Sequence, residues 1–378
     1  MKILHLINTL SAGGAELHLL ALCRYLKKHG IDVSVACLRE NVRGSRPLRA
    51  DFEAENIPVI SLAGESRYSV GFLGRLLTLV RRARPDILHT HLPRADIAGA
   101  LAGRAGGAPP LICSVHGIYR DRWFGSWAAP LMRWAYGEAD AVIAISAAVE
   151  DWLARDLRAR AGSIHVIHYG IETARFAAPP ECESERQPDA IVIGSMGRLE
   201  PGKGFDCLIR AMQVVRAQVP NAILRIAGPD PHGYGETLRR LIAELNLAAA
   251  VRLVGFQADA AAFFRGLDIF AFASRSEGFG QVVIEAMAAG KPVVASRIAP
   301  LTEIVVEAEN GFLVEQGKGD LFAGAICRLC RDAAERQRLG EGGKMRVEES
   351  FTVERMGRET ISLYEQLVGQ SRSLKSVA

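Results

Sequence analysis

Short apolar runs alternate with longer amphipathic segments along most of the chain, and this alternation limits the possible folds more than any other feature. Strands buried on both faces are apolar throughout, and parallel neighbours need a crossover helix between them. The pattern therefore predicts an α/β protein with parallel sheets covered by helices. In the first half the predicted strands are 3–7, 33–37, 58–61, 87–89, 111–115, 141–145 and 165–167, and the predicted helices are 15–29, 70–84, 95–105 and 128–136.

The alternation breaks once, at residues 178–190, which are rich in proline and charge and poor in apolar side chains. Such a composition is typical of a linker or an exposed loop. The alternation then restarts with predicted strands 191–196, 223–227, 251–254, 269–273, 293–295 and 312–314, and the chain ends in a predicted helix, 353–367. We therefore expect two Rossmann-like, doubly wound parallel-sheet domains that face each other across a ligand cleft.

Composition and charge exclude several classes of function. The chain has 378 residues, of which 49% are hydrophobic and 23% are charged, so a disordered or fibrous protein is excluded. The net charge of +4 is too small to indicate nucleic-acid binding. It does favour an anionic small molecule or an anionic membrane surface as a partner.

The apolar segments and the cysteines indicate the cellular compartment. The apolar N-terminus is short and is interrupted by His5, which favours a first strand over a signal peptide. No apolar run approaches the ~18 residues that a membrane span needs. The seven cysteines are expected to be thiols in a reducing cytosol, Cys327 and Cys330 included. We expect a cytoplasmic protein, and peripheral attachment at the inner face of the membrane stays open.

A glycine-rich turn follows the first strand of each half. Gly13 and Gly14 let the backbone approach a ligand and leave helix amides free to meet an anion, although an ordinary tight turn is the alternative. The turn at 197–204 nearly matches the phosphate-binding GxxxxGK[ST] loop, but a glycine replaces the hydroxyl that would hold magnesium. Its cations, Arg198 and Lys203, suit a diphosphate bound without a metal; a solvated surface loop is the alternative.

Two glutamates flank the start of a predicted helix in the second half. The segment 274–287 runs from a strand through a glycine-rich turn into a helix that begins near Gly280, whose first amides suit a phosphate. Glu285 lies one to two turns inside this helix and is placed to accept hydrogen bonds from ribose hydroxyls. Glu277, on the preceding loop, is placed to meet a sugar. Either glutamate alone fits a solvated charge equally well, but together they are more specific.

Three histidines are expected at the carboxyl ends of strands in the first half, namely His89, His91 and His116. His89 and His91 have the spacing of metal ligands, but the sequence offers no evident third ligand nearby. No Asp-x-Asp element, which would hold a metal–diphosphate complex, occurs in the chain. We therefore expect no metal site.

These motifs resemble glycosyltransferase family 4, whose members have the two-Rossmann GT-B architecture. The resemblance covers nearly the whole chain and includes a pair of glutamates separated by seven residues. The matching segments are 13–16, 115–117, 141–146, 169–171, 197–199, 203–204, 255–256 and 277–293.

The resemblance implies an acceptor domain at 1–170, a linker at 171–190, a donor domain at 191–349, and a C-terminal helix, 350–370, that crosses back onto the first domain. It also implies a retaining transferase that moves a sugar from a nucleotide-diphospho-sugar, with UDP or GDP, to a hydroxyl of a glycan or lipid-linked acceptor in cell-surface polysaccharide synthesis. The nucleotide sugar is then a substrate, and no cofactor is expected.

By resemblance, Arg198 and Lys203 bind the donor diphosphate, Glu285 holds the ribose, and Glu277 holds the sugar hydroxyls. Arg198, Lys203 and Glu277 are also candidate catalytic residues. Backbone next to the phosphates and the sugar is supplied by Phe279, Gly280, Gln281 and Val282. Relatives often carry an aliphatic residue at position 281, which puts only that side chain's role in doubt.

In the first half the resemblance places His116 beside the reacting centre as a candidate catalytic residue. Gly14 would approach the donor from the first domain. His91, Arg94 and Tyr119 are candidate contacts of the acceptor.

The expected mechanism follows from a missing group. A double displacement with retention needs a carboxylate nucleophile about 5 Å from its partner acid, and no matched position supplies one on the reacting face. Front-side attack, in which the leaving phosphate helps to take the acceptor's proton, is the better hypothesis. The alternatives are another GT-B enzyme, such as a sugar-nucleotide epimerase or a phosphorylase, or a non-catalytic binding protein.

The segment 119–136 contains several arginines and three of the four tryptophans, namely Trp123, Trp127 and Trp134, which with Leu131 approximate one helical face. Aromatic side chains with basic neighbours suit a membrane interface or a lipid-linked acceptor. The alternative is that these rings pack internally, since Pro130 interrupts a single long helix.

Overall fold

A computed structural model describes residues 1–40, 46–63, 71–104, 109–119, 128–160, 162–177 and 189–377, apart from the side chains of 372 and 374–377. The chain forms two compact units. Unit 1 contains Met1–Gly170 and Val353–Ala378, and unit 2 contains Ile171–Thr352. The predicted loop 178–190 lies largely outside the described residues, as do Trp123 and Trp127.

Unit 1 is built on a seven-stranded parallel sheet in the order β3-β2-β1-β4-β5-β6-β7. The strands are β1 (Lys2–Ile7), β2 (Asp32–Cys37), β3 (Val59–Ser61), β4 (Ile87–His91), β5 (Leu111–Val115), β6 (Ala141–Ala144) and β7 (Ile164–Val166). The order runs outwards from β1 and β4 in both directions, which is the doubly wound pattern. The carboxyl ends of β1, β4 and β5 therefore lie side by side.

Helices cover the sheet of unit 1. They are α1 (Gly14–Lys28), α2 (Arg49–Ala54), α3 (Gly71–Ala83), α4 (Pro93–Arg104), α5 (Ala128–Glu138), α6 (Ala147–Arg155) and the C-terminal α15 (Val353–Val377). The helices α1 and α15 pack closely, since a Cβ on Gly357 would overlap the ring of Tyr25. Their buried residues form one core with Ile3, Ile7 and other residues on that face of the sheet.

Unit 2 is built on a six-stranded parallel sheet in the order β10-β9-β8-β11-β12-β13. The strands are β8 (Ile191–Met196), β9 (Ala222–Ala227), β10 (Val251–Gly255), β11 (Ile269–Phe272), β12 (Val293–Ser296) and β13 (Gly311–Val314). The order reverses between β8 and β11, and in open α/β sheets ligands bind at the carboxyl ends of the strands beside such a reversal.

The helices of unit 2 are α7 (Ala174–Ala177), α8 (Phe205–Gln218), α9 (Tyr234–Glu244), α10 (Ala260–Arg265), α11 (Gln281–Ala288), α12 (Leu301–Ile304), α13 (Gly319–Arg331) and α14 (Ala333–Ser350). A 3₁₀ turn, Pro201–Lys203, precedes α8. The apolar faces of α8, α9 and α13 join the sheet in a core of aliphatic and phenylalanine side chains.

The strand predictions are confirmed to within one or two residues. The largest difference is in β4, which continues past the predicted end at His89 to His91. Thr90 and His91 are polar and break the apolar run, yet both side chains are fully buried. The helix that was predicted at 353–367 extends to Val377.

Two expectations about the compartment concern features that the structure describes. Among the described residues, none of the helices is both long enough and apolar enough to cross a membrane. Six cysteines lie in the described part of the chain, and all six are free and buried, Cys327 and Cys330 among them.

Candidate functional site

The loop after β8 is held against the carboxyl end of β11 by glycine. Gly204 ends the 3₁₀ turn in a left-handed conformation, with φ at 66°, and a Cβ there would overlap the carbonyl oxygen of Ala273. Only glycine combines this backbone conformation with such a close approach. The glycine that replaces the magnesium-binding hydroxyl of a P-loop thus has a structural reason to be there.

The loop after β11 is tied to the same turn by Arg275. The Arg275 amide donates to the Gly202 carbonyl over 2.8 Å, and its guanidinium donates to the Pro201 carbonyl over 3.1 Å and to Asp206 over 2.8 Å. The two loops therefore form one rigid platform at the reversal point of the sheet. Sequence reasoning missed these ties, because contacts between distant loops leave no local pattern.

Lys203 and Glu277 meet on this platform. The Lys203 ammonium donates to Glu277 Oε1 over 2.7 Å, and their side chains are only 17% and 11% exposed. Ser274, which is fully buried, donates its hydroxyl to the same Oε1 over 2.6 Å. The structure thus brings together two residues from predicted motifs that are 74 positions apart. Ser274 was part of the motif, but sequence alone assigned it no role.

Arg198 is placed differently from Lys203. Its side chain is 62% exposed and lies 3.4 Å from Glu200 in an ion pair. Exposed pairs of this kind are weak, so the guanidinium is free to reorient toward an anion. The two cations that the sequence analysis grouped together therefore differ in mobility. The Lys203 side chain is held by Glu277, whereas the Arg198 side chain can change its conformation.

The start of α11 is also shaped by glycine. Gly280 has φ at 113°, and a Cβ there would lie 2.5 Å from Leu301 Cδ2. The amides of Gln281 and Val282 follow in the first turn, where they have no acceptor within the helix. Phe279 is 2% exposed and its ring packs edge-on against Phe351 at 5.7 Å, so its side chain belongs to the core.

Glu285 accepts a hydrogen bond from Gln281 one turn earlier in α11. Gln281 Nε2 lies 2.9 Å from Glu285 Oε1, and Gln281 Oε1 is buried without a partner among the described residues. Burial raises the pKa of Glu285 to about 7, although the Gln281 amide and the charge of Arg175 both act to lower it. The carboxyl is thus poised to change protonation state near neutral pH.

In unit 1 the turn after β1 leads directly into α1. Gly13 has an extended backbone and caps the helix, and Gly14, its first residue, is exposed. Glu16 in the first turn is buried and accepts a hydrogen bond from Thr9 Oγ1 over 3.2 Å. A carboxylate in the first turn competes with a bound anion for the helix amides. The first-half turn is therefore less suited to a phosphate than the start of α11.

His116, at the end of β5, uses both ring nitrogens within the protein. Its Nδ1 lies 2.6 Å from the Tyr169 hydroxyl, and its Nε2 lies 3.0 Å from His91 Nδ1. Burial, followed by the charge of His18, lowers the pKa of His116 well below its usual value. The ring is therefore neutral, and in this arrangement it has no nitrogen to spare for a substrate.

His91 needs a correction as a candidate acceptor contact. It is fully buried, and its second nitrogen, Nε2, lies 3.0 Å from His5 Nδ1. A direct contact with an acceptor is therefore ruled out in this structure. Arg94 is exposed and Tyr119 is half-buried.

The two histidines of β4 do have a third histidine nearby, contrary to the expectation from the sequence. His5 lies opposite His89 in the register of β1 and β4. Within the described residues His5, His89 and His91 form a group whose ligand nitrogens lie within 4.8 Å of one another. His5 sits in the first strand, and only the strand order could have shown that β1 lies beside β4.

Comparison with known families decides what kind of protein this is. A model described as Glycosyltransferase Family 4 matches residues 12–175, and a model described as Glycosyl transferases group 1 matches residues 182–346. The chain belongs to glycosyltransferase family 4. The family expected from the motifs is thereby confirmed, and the two models match successive segments of the chain that together span residues 12–346.

Relatives matched over most of their length are themselves glycosyltransferases. LpsE of Rhizobium meliloti, a lipopolysaccharide core biosynthesis glycosyltransferase, is 27% identical over 88% of this chain and 89% of its own. A D-inositol 3-phosphate glycosyltransferase of Jonesia denitrificans is 27% identical over 95% of this chain and 92% of its own. The family 4 member described here is therefore a glycosyltransferase.

Solved structures support the fold. HepE of Anabaena, in complex with UDP, has a TM-score of 0.87 at 24% identity, covering 97% of this chain and 100% of the HepE chain. A second HepE structure contains UDP-glucose. Sucrose-phosphate synthase from Thermosynechococcus elongatus has a TM-score of 0.82 at 23% identity, covering 98% and 100%. With the two doubly wound sheets, these likenesses confirm the predicted GT-B fold.

Proposed function

We propose that this glycosyltransferase moves a hexosyl group from a nucleoside-diphosphate sugar to a hydroxyl of a glycan or lipid-linked acceptor, with retention at the anomeric carbon and without a metal. The observation that carries the proposal is the cluster of Lys203, Glu277 and Ser274 beside the start of α11. It combines a fixed cation and a fixed carboxylate with the first amides of α11 on one platform.

Each element of the cluster suits one part of the donor. The Lys203 ammonium has three N–H groups, of which Glu277 occupies one, so it can donate to a phosphate at the same time. The amides of Gln281 and Val282 and the positive end of α11 add to the binding of an anion. The second oxygen of Glu277 suits sugar hydroxyls, and Glu285 suits the ribose.

The mechanism that fits this cluster is front-side attack. The acceptor hydroxyl bonds to the anomeric carbon on the face from which the diphosphate departs, and its proton passes to the departing phosphate oxygen. Lys203, Arg198 and the amides of α11 stabilise the negative charge that develops there. His116 is neutral with both nitrogens engaged, which agrees with a phosphate rather than an imidazole as the proton acceptor.

The stereochemistry of the product tests this mechanism. We expect NMR of the first product formed to show the same anomeric configuration as the donor, and full activity after treatment with EDTA. An inverted product would rule out front-side attack. Loss of activity in EDTA that added Mg²⁺ or Mn²⁺ restores would rule out metal independence.

For the donor we propose UDP-sugars first and GDP-sugars second, because HepE has been solved with UDP and with UDP-glucose. A thermal-shift panel of UDP, GDP, ADP and their sugars ranks the bases, since a ligand stabilises the fold in proportion to the logarithm of its concentration over Kd. A shift with ADP alone would contradict the proposed donor class.

Lys203→Ala tests the cluster directly. The variant lacks the cation that stabilises the negative charge on the departing phosphate. It should therefore lose on the order of 2–4 kcal/mol of transition-state stabilisation, measured as a lower kcat/KM. Lys318→Ala is the matched control, because Lys318 is an exposed lysine of the same unit and the same charge is lost. Equal activity of the two variants would remove Lys203 from the site.

For the acceptor we propose a precursor of cell-surface polysaccharide, in line with the printed role of LpsE. Peripheral contact with an anionic membrane is part of this proposal, because Leu131 of α5 is a large apolar side chain that is 46% exposed. Co-sedimentation with anionic liposomes at low salt tests it. Recovery of the protein entirely in the supernatant would end the membrane part of the proposal and leave the transfer reaction intact.

A further inference from the structure

A chain of hydrogen bonds runs through the interior of unit 1, from Tyr169 through His116 and His91 to His5. The links are 2.6 Å from the Tyr169 hydroxyl to His116 Nδ1, 3.0 Å from His116 Nε2 to His91 Nδ1, and 3.0 Å from His91 Nε2 to His5 Nδ1. We call these four residues the histidine chain. It ends at His5 Nε2, which is buried without a partner among the described residues.

The fold holds the histidine chain in place from two sides. His5 and His91 are on neighbouring strands, and β1 and β4 pair so that Ile7 lies opposite His91. The neighbouring His89 donates to or accepts from Tyr364 of α15 over 2.6 Å and Ser114 over 2.7 Å, so both of its nitrogens are used outside the chain. Rotation of any ring in the chain would leave a buried nitrogen unpaired, which disfavours the rotated state.

The rings of the histidine chain are uncharged at neutral pH. Burial lowers the pKa of His5 to about 3, and the nearby charge of His18 lowers it further in the same direction. Burial also lowers the pKa of His91 well below its usual value, with His89 and His116 adding to the effect. A neutral imidazole has one N–H donor and one bare acceptor nitrogen. Each link therefore has one donor, and the chain has a single direction.

Two observations choose between the two possible directions. If the rings donated toward His5, then His5 Nε2 would carry a buried N–H without an acceptor, and unpaired buried donors are rarer than unpaired acceptors. The negative charge of Glu16 acts on Tyr169 at the other end, raising the pKa of that hydroxyl after the larger effects of burial and Tyr119. An anion at the Tyr169 end favours donors that point toward it.

We propose that His5 and His91 are positioning residues that lock His116 as the neutral Nδ1–H tautomer, through donation from His5 Nδ1 to His91 Nε2, from His91 Nδ1 to His116 Nε2, and from His116 Nδ1 to the Tyr169 hydroxyl. The lock fixes the ring plane of His116 and withholds both of its nitrogens from proton transfer. Its consequence for catalysis rests on the proposed function; the tautomer itself does not.

The tautomers are measured by long-range ¹H–¹⁵N correlation NMR on histidine-labelled full-length protein, in which protonated and bare ring nitrogens differ clearly in shift. His29 is an internal standard, because its Nδ1 lies 2.8 Å from the Tyr25 carbonyl oxygen, which can only accept. We expect the Nδ1–H form at His5, His91 and His116. An imidazolium at any of the three, or an Nε2–H form at His116, would overturn the proposal.

A metal ion is the main competing explanation for the closeness of His5, His89 and His91. Zinc titration into the labelled protein, with EDTA-treated protein as the reference, separates the two. Unchanged shifts for these three rings support the histidine chain. Selective shifts of the three rings on stoichiometric zinc, with release of protons, would show that the nitrogens are metal ligands and would overturn the chain.

Variants at His5 link the tautomer to activity. His5→Leu removes the donor to His91, and the loss of one neutral hydrogen bond should lower kcat about two- to tenfold with little change in the donor KM. His5→Asn places an amide N–H at the position of Nδ1 and should restore both the His116 tautomer and kcat.

The outcomes separate the positioning role from the proposed function. If His5→Leu folds and shifts the tautomer of His116 but does not change kcat, the positioning role is contradicted. If the wild type has the expected tautomers but transfers no sugar, the proposed function fails and the lock stands.

Discussion

Glu285→Gln should make the protein more stable at pH 8 while it weakens donor binding. The folded state holds the pKa of Glu285 near 7, against an ordinary value of 4.5, because burial disfavours the charged carboxylate. Between pH 4.5 and 7 Glu285 is ionised in the unfolded chain but still mostly protonated in the folded protein. The free energy of unfolding therefore falls by about 1.4 kcal/mol for each pH unit in this range. Glutamine at position 285 still accepts a hydrogen bond from Gln281 Nε2 but cannot ionise. The stability of the Glu285→Gln variant is therefore not lowered by this ionisation.

The same pKa sets the pH dependence of donor affinity. Ribose hydroxyls donate more strongly to a carboxylate than to a neutral carboxyl. With a pKa near 7, the ionised fraction of Glu285 rises about tenfold between pH 6 and pH 8, and the association constant should rise by up to the same factor. The Glu285→Gln variant should bind more weakly at pH 8 and should show a flat profile.

The assays are urea unfolding and calorimetric titration of a UDP-sugar, each at pH 6, 7 and 8. A UDP-sugar is preferred to UDP because its diphosphate diester has no group that titrates near neutrality. Wild-type affinity that stays constant over this range, or a Glu285→Gln variant that is less stable than wild type at pH 8, would refute the reasoning.

Three further predictions follow from buried groups and tight turns. Asp96 is fully buried, and burial raises its pKa to about 8. The free energy of unfolding of the wild type should therefore fall by about 1.4 kcal/mol per pH unit from pH 5 to pH 7, relative to that of Asp96→Asn. Parallel pH dependences of the two proteins in urea unfolding would contradict this. Gly204→Ala should lower the free energy of unfolding by more than about 1 kcal/mol, because φ is 66° and a Cβ would overlap the Ala273 carbonyl after β11. In Gly202→Ala the new Cβ meets open space, so the change should stay within about 0.5 kcal/mol. Equal effects of the two variants in thermal unfolding would disprove the steric argument. Ser274→Ala removes the 2.6 Å hydrogen bond to Glu277 and should lower kcat/KM by about tenfold or more. Ser274→Thr keeps the hydroxyl and should restore kcat/KM. An unchanged kcat/KM in Ser274→Ala would show that the hydroxyl does not position Glu277.

Most of the fold could be predicted from the sequence because both sheets are parallel and buried. Their strands are continuous apolar runs, and a glycine-rich turn follows the first strand of each half, at Gly13 and at Gly197. The exception, β4, contains Thr90 and His91, which the fold buries by pairing Thr90 with Asp96 of α4 and His91 with His116, just after β5. Short-range patterns do not contain such pairings, and the predicted strand therefore ended too early.

The motifs predicted which loops form the candidate donor site but not how their side chains are arranged. Lys203 and Glu277 come from separate motifs, and only the reversal of strand order between β8 and β11 brings them together. His91 shows the opposite error. Its position at a strand end suggested an acceptor contact, whereas the strand order places His5 beneath it and buries the ring completely.

Calorimetric titration of UDP, GDP and ADP into the wild type and Lys203→Ala tests the central claim most directly. The account predicts one site per chain for UDP or GDP, with affinity at least tenfold weaker in Lys203→Ala and unchanged in Lys318→Ala. Wild-type protein that binds none of the three nucleotides, or a Lys203→Ala variant with undiminished affinity, would contradict a donor site at Lys203 and Glu277.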